Sequence, residues 1–322
     1  MAAGVSVTNT AKRPFRGMLL AAALIAGSAA MLLFAELVAS QGLPRISRIE
    51  KRTSDEIAAA LEFHRAAAGP RKALVLGNSL LLEGVDFPSL ARSLEGEIEV
   101  RRVVVEQTFY LDWYYGMRRL FAHGSDPDVV VLELSALQLL SGNIRGDYSA
   151  RRLFDLGDLL SVARDAGYSP TQGASLWAAH WSGFFGTRAE IRKWLLGKFM
   201  PAFPELQPHL VRNRPIVLTR EEILSRAPAR LQALQRLAEE HGARFILLAP
   251  ATLGEGSETE ALLESGRIAS VDVLAPLARN EAPANEFSDG FHLNSAGARR
   301  YTAALVPLLR NAIGPPSSAS AK

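Results

Sequence analysis

The sequence contains no cysteine. That removes disulfides, thiol nucleophiles and thiolate metal sites, and leaves the chain compatible with either side of a membrane. Histidines are few: His64, His123, His180, His209 and His241 sit at no spacing that would hold a metal ion, so neither a metal nor a cofactor is expected. No glycine-rich phosphate loop follows any strand-like run. Charge is sparse too. A net +3 over 322 residues is weak, and the basic residues are scattered without interleaved aromatics, which argues against nucleic acid. What the chain has is apolar content, 48% of its residues, enough for a large core.

The first concentration of that content is at the N-terminus. Residues 17–35 (GMLLAAALIAGSAAMLLFA) carry no charge. As a helix they would measure about 28 Å, close to the hydrocarbon thickness of a bilayer. Lys12, Arg13 and Arg16 precede the run and Glu36 ends it. Basic residues on the short flank hold that end in the cytoplasm and send the rest of the chain across. The expectation is a cytoplasmic tail (1–16), a single transmembrane anchor (17–38) in the inner membrane and an extracytoplasmic, periplasmic domain. The competing reading is a cleaved signal peptide, with Ala39 and Ser40 before Gln41. The run exceeds the usual signal-peptide core, which favours an uncleaved anchor.

Residues 39–70 read as a connector with a helix at 54–68, capped by Thr53 or Ser54 and stopped by Gly69-Pro70. Short apolar runs then alternate with helical stretches. Strands are expected at 73–76, 98–105, 129–134 and 245–248, with a weaker fifth at 268–273. Helices are expected at 80–94, 110–122, 227–241 and 295–310. Strands that are apolar throughout and alternate with helices specify a parallel sheet covered on both faces. Such sheets put their working residues at the carboxyl ends of the strands. Residues 142–225 break the rhythm: Trp177, Trp181, Phe184, Phe185, Trp194, Phe199 and Phe203 occur there among prolines 201, 204 and 208, with no strand-like run. This reads as a helical insertion whose aromatics either line a cleft, touch a membrane or pack a small core of their own. The last residues, 314–322, read as a disordered tail.

Two segments carry chemistry. In Leu76-Gly77-Asn78-Ser79-Leu80 a buried strand runs into a serine at the start of a helix, which places the hydroxyl at the carboxyl edge of the sheet. Backbone amides there would stabilise an oxyanion. A plain helix N-cap explains the same serine. In Ser288-Asp289-Gly290-Phe291-His292-Leu293-Asn294-Ser295, an Asp and a His three apart precede the final helix, capped by Asn294 or Ser295. That spacing lets the carboxylate fix the imidazole tautomer and leaves the other ring nitrogen to take a serine proton. Trp113-Tyr114-Tyr115 reads as packing, although Tyr110 and Asp112 share the edge with Ser79.

Together the two segments resemble the GDSL/SGNH hydrolases. Gly77-Asn78-Ser79-Leu80 is similar to that family's first block, with Asn78 in place of the usual aspartate. Asp289-Gly-Phe-His292-Leu-Asn294-x-x-Gly297, followed by Tyr301 and Thr302, is similar to its last. The resemblance spans roughly residues 72–312 and implies a flavodoxin-like α/β three-layer sandwich with a five-stranded parallel sheet over 71–313. It also implies a Ser79–His292–Asp289 triad and acyl-ester chemistry. The middle blocks depart from the pattern. Glu106-Gln107-Thr108-Phe109-Tyr110 lacks the family's glycine after the second strand, and Glu133-Leu134-Ser135-Ala136-Leu137-Gln138 lacks the Gly-x-Asn-Asp after the third. With the Ser79 amide, Asn78, Thr108, Tyr110, Ser135 and Gln138 remain as oxyanion or substrate candidates, and Asn143 as a more distant one.

The expected function is therefore a membrane-anchored serine esterase or O-acyltransferase. Its partners would be an acylated small molecule or glycan, such as an O-acetylated envelope or exported polysaccharide, and the assembly system around it. A non-catalytic glycan-binding scaffold that keeps the fold, and a lipid esterase, are the alternatives.

Overall fold

The computed structural model describes residues 13–42, 45, 47–200, 218–253, 257–277 and 281–315. The start of the tail, Pro44, Phe203, His209, the prolines at 201, 204 and 208, and residues 316–322 lie outside the described residues.

The chain begins with α1 (Arg13–Leu37), which continues through a π turn (Val38–Gly42). The 26-residue stretch Gly17–Gly42 is long and apolar enough to cross a membrane. The connector helix α2 is Arg48–Leu61, six residues upstream of where its sequence suggests. The cap is Ser47, whose Oγ accepts from the Glu50 amide, and Thr53 is buried mid-helix rather than capping. The helix stops early because the next residues pair with the loop at Asp126: Asp126 N–H donates to Phe63 O, and Arg65 N–H donates to Asp126 O.

Among the described residues five strands follow: β1 (Arg71–Gly77), β2 (Ile98–Val104), β3 (Val129–Glu133), β4 (Arg244–Leu248) and β5 (Asp272–Leu274). Every pairing is parallel and the order is β2-β1-β3-β4-β5, so the flavodoxin-like sheet is as expected. The strands read as continuous apolar runs because both faces are covered. Leu74 and Leu76 enter one core with Trp113, Leu231 and Leu234, while Ala73 and Val75 enter the other with Leu90, Tyr301 and Leu305. This is the period-2 alternation of a strand. The helices responsible are α5 (Tyr110–Ala122) and α11 (Arg220–Glu240) on the first face, and α4 (Phe87–Ser93) and α13 (Ser295–Ile313) on the second. The expected helix over 80–94 is two helices, α3 (Ser79–Gly84) and α4. The chain turns at Asp86, whose carboxylate caps α4 at Ser89, and Pro88 occupies the first turn. The weak fifth strand is shorter than expected, because α12 (Ser257–Ala269) runs through Ile268, and Ser270 at φ 58° ends it.

Between β3 and α11 lie α6 (Ala136–Leu140), α7 (Asp147–Arg152), α8 (Leu159–Asp165), α9 (Pro170–Trp181) and α10 (Gly183–Phe199). Leu153, Phe154, Leu159, Val162 and Leu176 from this region join the same core as Trp113 and Leu231. Among its described residues the insertion packs on the main domain rather than around a core of its own. Trp181 and Phe199, by contrast, are exposed.

Candidate active site

The loops after β1 and β2 and the turn before α13 converge at the carboxyl edge. β1 ends at Gly77, and Asn78 caps α3: its Oδ1 accepts from Leu80 N–H and its Nδ2 donates to Thr108 O across the edge, 3.1 Å away. Capping is therefore the work of Asn78, and the Ser79 hydroxyl is free for something else. An amide suits this buried position better than a carboxylate, which could accept from Leu80 but not donate to the Thr108 carbonyl.

The something else is His292. Its Nε2 lies 3.0 Å from Ser79 Oγ, and its Nδ1 lies 2.8 Å from Asp289 Oδ2. Asp289 Oδ1 also accepts from the amides of Phe291 and His292. With Asp289 as acceptor, the consistent tautomer carries the imidazole proton on Nδ1 and turns the Nε2 lone pair toward the serine. Partial burial pushes the Asp289 carboxyl up, but these hydrogen bonds from His292 and Phe291 outweigh it and hold the pKa at about 2. The carboxylate is thus charged at any working pH.

The turn is rigidly held. Ser288 N–H donates to His292 O and Asn294 N–H to Glu286 O, while Asn294 Oδ1 caps α13 at Ala296 and Gly297. A Cβ at Gly297 would lie 2.7 Å from Glu286 O, so this helix can meet the turn only through a glycine. One turn further along α13, Tyr301 Oη reaches 2.8 Å from Ala249 O at the end of β4 and ties the helix to the sheet.

The remaining sequence candidates divide. Thr108 is fully buried; its hydroxyl donates to Val105 O and accepts from Trp113 Nε1, so it has no proton left for an oxyanion. Tyr110 is packed inside, stacked on Tyr114 beneath the Arg230 guanidinium, and burial pushes its phenol up to about 12. Neither serves the role expected of it. Ser135 and Gln138 form the capping box of α6, with both side-chain oxygens accepting, which leaves the Ser135 O–H and the Gln138 amide N–H groups as donors. The Asn143 backbone N–H donates to Ser141 Oγ. Asp112 is buried, capping Phe109 N–H and holding the Arg145 amide, and burial raises its carboxyl to about 6.

Two residues escaped sequence reasoning. Gln107, in the loop after β2, has φ 58°, a left-handed conformation costly for a residue with a side chain. It lies three residues past the end of β2, in the loop that faces Asn78 through Thr108 O. Glu133, the last residue of β3, is buried beside Leu80, Phe291, Leu293 and Tyr301. Burial pushes its carboxyl up to about 8, and the Tyr301 hydroxyl 3.3 Å away only partly offsets this. The Tyr301 hydroxyl has one proton to share between Ala249 O at 2.8 Å and Glu133 Oε1 at 3.3 Å. Only the position of Glu133 at a strand end hinted at it. A groove of about 570 Å³ lined by Asp86, Ser288, Asn294 and Arg299 includes neither Ser79 nor His292 among its lining residues. Among the described residues no group of acidic or histidine side chains could hold a metal ion.

No protein-family model and no curated protein matches the chain. Solved structures do. TesA is 13% identical over 75% of this chain and 99% of its own, with a TM-score of 0.38. The acetyl xylan esterase Est2A of the rumen bacterium Butyrivibrio proteoclasticus is 14% identical over 76% and 64%, at 0.36. A candidate GDSL-like lipase from Bacteroides ovatus is 9% identical over 75% and 99%, at 0.34. The chain is similar to GDSL-type esterases and lipases. At such low TM-scores the likeness carries nothing further, and the chemistry stands on the Ser79, His292 and Asp289 geometry.

Proposed function

We propose that this chain is a serine esterase of the SGNH type, held at a membrane by α1 and working outside the cytoplasm. The observation that carries the reading is the chain of contacts from Ser79 Oγ to His292 Nε2 (3.0 Å) and from His292 Nδ1 to Asp289 Oδ2 (2.8 Å). Ser79 Oγ attacks an acyl carbonyl as its proton passes to His292 Nε2, and Asp289 stabilises the imidazolium. Collapse of the tetrahedral intermediate breaks the C–O bond, and the imidazolium returns the proton to the leaving alkoxide. Water, or a sugar hydroxyl in a transferase, then repeats the sequence on the acyl-serine. The Ser79 amide is the first candidate donor to the oxyanion, and the Ser135 hydroxyl and Gln138 amide protons keep donors for a second. An acyl ester of an envelope or exported polysaccharide fits an anchored, exported enzyme.

Retention of α1, rather than its removal as a signal peptide, is supported by what lies beside the candidate cleavage point. Ala39 is buried, and Glu36 accepts from Ser182 Oγ and from the amides of Gly183 and Phe184. Cleavage near Gln41 would strip these contacts from the folded domain. The test of the activity is acyl-enzyme trapping with a fluorophosphonate probe. The wild type labels and Ser79→Ala does not; labelling that survives Ser79→Ala, or a folded wild type that never labels, would overturn the assignment. Paired assays for free acid and for acylated acceptor separate hydrolase from transferase.

A further inference from the structure

We propose that α10 is a second membrane contact, lying in the headgroup layer beside α1, so that the domain rests on the bilayer through two elements. The proposal rests on reading α1 as a retained span. Three observations carry it.

The first fixes where α10 begins. Glu36, the residue that closes the charge-free run, accepts at 2.7 Å from Ser182 Oγ, 2.7 Å from Gly183 N and 3.1 Å from Phe184 N. It caps α10 from another helix, and a Cβ at Gly183 would come within 2.9 Å of its Oε1. A carboxylate at the end of an apolar span sits at the membrane surface, so the start of α10 sits there with it.

The second gives the direction. α10 folds back beside α1 rather than away from it. Met31, Phe34 and Ala35 of α1 and Phe184, Ile191 and Trp194 of α10 line a groove of about 240 Å³ with almost no polar surface. Met31 precedes Glu36 by five positions, about 7.5 Å deeper along the helix. Trp194 therefore lies on the bilayer side of the Glu36 cap.

The third is composition. Beyond that groove Trp194, Leu195, Phe199 and Met200 are exposed, Phe199 at 72%, as is Trp181 just before α10 at 68%. Basic residues are interleaved: Lys198 Nζ lies 5.2 Å over the Trp194 ring and the Arg188 guanidinium 4.6 Å over the Phe185 ring. So many charges forbid a second span. Tryptophan mixed with snorkelling lysine and arginine is instead the composition of the headgroup layer. The bilayer around α1 is continuous with this patch and covers what would otherwise be an unusual apolar surface on a folded domain.

The consequence reaches the active site. Glu190 of α10 pairs with Arg145 at 2.6 Å, and Arg145 approaches Glu106, which also pairs with Arg52. Glu106 belongs to the loop after β2, at the carboxyl edge that holds Ser79. A membrane-seated α10 therefore gives that edge a fixed bearing on the bilayer.

The absence of cysteine makes the test clean. Full-length protein carrying single spin labels at Leu24→Cys, Leu195→Cys, Phe199→Cys or Leu160→Cys is placed in phosphatidylcholine/phosphatidylglycerol nanodiscs. Collision with oxygen is then compared with collision with a water-soluble nickel chelate. The expected result is an oxygen-to-nickel ratio several-fold higher at 195 and 199 than at 160, an exposed site on α8, with 24 higher still. A lipid-like ratio at 24 with 195 and 199 matching 160 overturns the proposal and leaves the anchor standing. A water-like ratio at 24, or loss of residue 24 from the isolated protein by mass, sinks the anchor reading and the proposal with it.

Discussion

The edge around Ser79 and the face formed by α1 with α10 are built on opposite plans. At the edge, groups 213 positions apart in sequence meet through short hydrogen bonds. Each is held by its own local turn: Asn78 caps α3, and Asn294, Gly297 and Tyr301 hold the histidine turn. At the α1–α10 face the contacts are mostly apolar, and one carboxylate, Glu36, supplies the direction. Short polar turns carry a signature of spacing into the sequence, whereas an apolar contact carries only composition. Dispersion and hydrophobic burial are non-directional, so no residue pattern marks the partner.

That contrast can be broken by mutation. The largest effect belongs to the edge: Ser79→Ala or His292→Ala should lower esterase turnover by about 10⁴-fold or more, with thermal stability nearly unchanged. Asp289→Asn, which forces the wrong tautomer, should cost about 10³- to 10⁴-fold. Turnover measured beside circular dichroism checks both. Because Asp289 stays ionised down to about 2, an acid limb of activity above that pH has to come from a group other than Asp289.

Glu133 comes next. Its carboxyl rises from 4.5 unfolded to about 8 folded, so the stability it contributes is complete below pH 4.5 and is lost as pH rises toward 8. An upper bound is about 4–5 kcal/mol across that window. Chemical denaturation at pH 5 and pH 9 should show Glu133→Gln with a much flatter dependence than wild type. An equal slope in both would mean that Glu133 is not buried neutral.

Asn78→Asp removes the donor to Thr108 and buries a charge, and should cost about 2–4 kcal/mol, read as a lower denaturation midpoint. On the other face, Glu36→Ala should cost only about 1–2 kcal/mol, the scale of one charged helix cap. It should leave turnover on a small soluble ester within a factor of a few. The smallest expected effect is at Gln107. Gln107→Gly should be neutral within about 1 kcal/mol, while Gln107→Val should destabilise by about 1–2 kcal/mol, because a β-branched side chain resists positive φ.

Much of the fold was legible. Strands apolar on both faces, punctuated by helices, specified the parallel sheet, and four of the five strands fall within a few residues of expectation. The errors are at ends decided by other segments. The α2 register follows Ser47 and the pairing of Phe63 and Arg65 with Asp126, and the end of α12 follows a left-handed Ser270. The candidate site was legible at its two end blocks. It was misread in the middle, where Thr108 and Tyr110 looked like pocket residues by position. The fold spends Thr108 on Trp113 and Val105, and packs Tyr110 beneath Arg230.

By itself, then, the sequence determined the apolar span, the sheet and the residue types of a serine–histidine–aspartate set, because periodicity and local turn chemistry are properties of neighbours in the chain. Only the tertiary structure decided that Asn78 and not Ser79 caps α3, that Gln107 takes a left-handed backbone, that Glu133 is buried at the edge, and that Glu36 reaches α10. Each of these depends on groups distant in sequence arriving within hydrogen-bond reach, and that is set by how the layers pack.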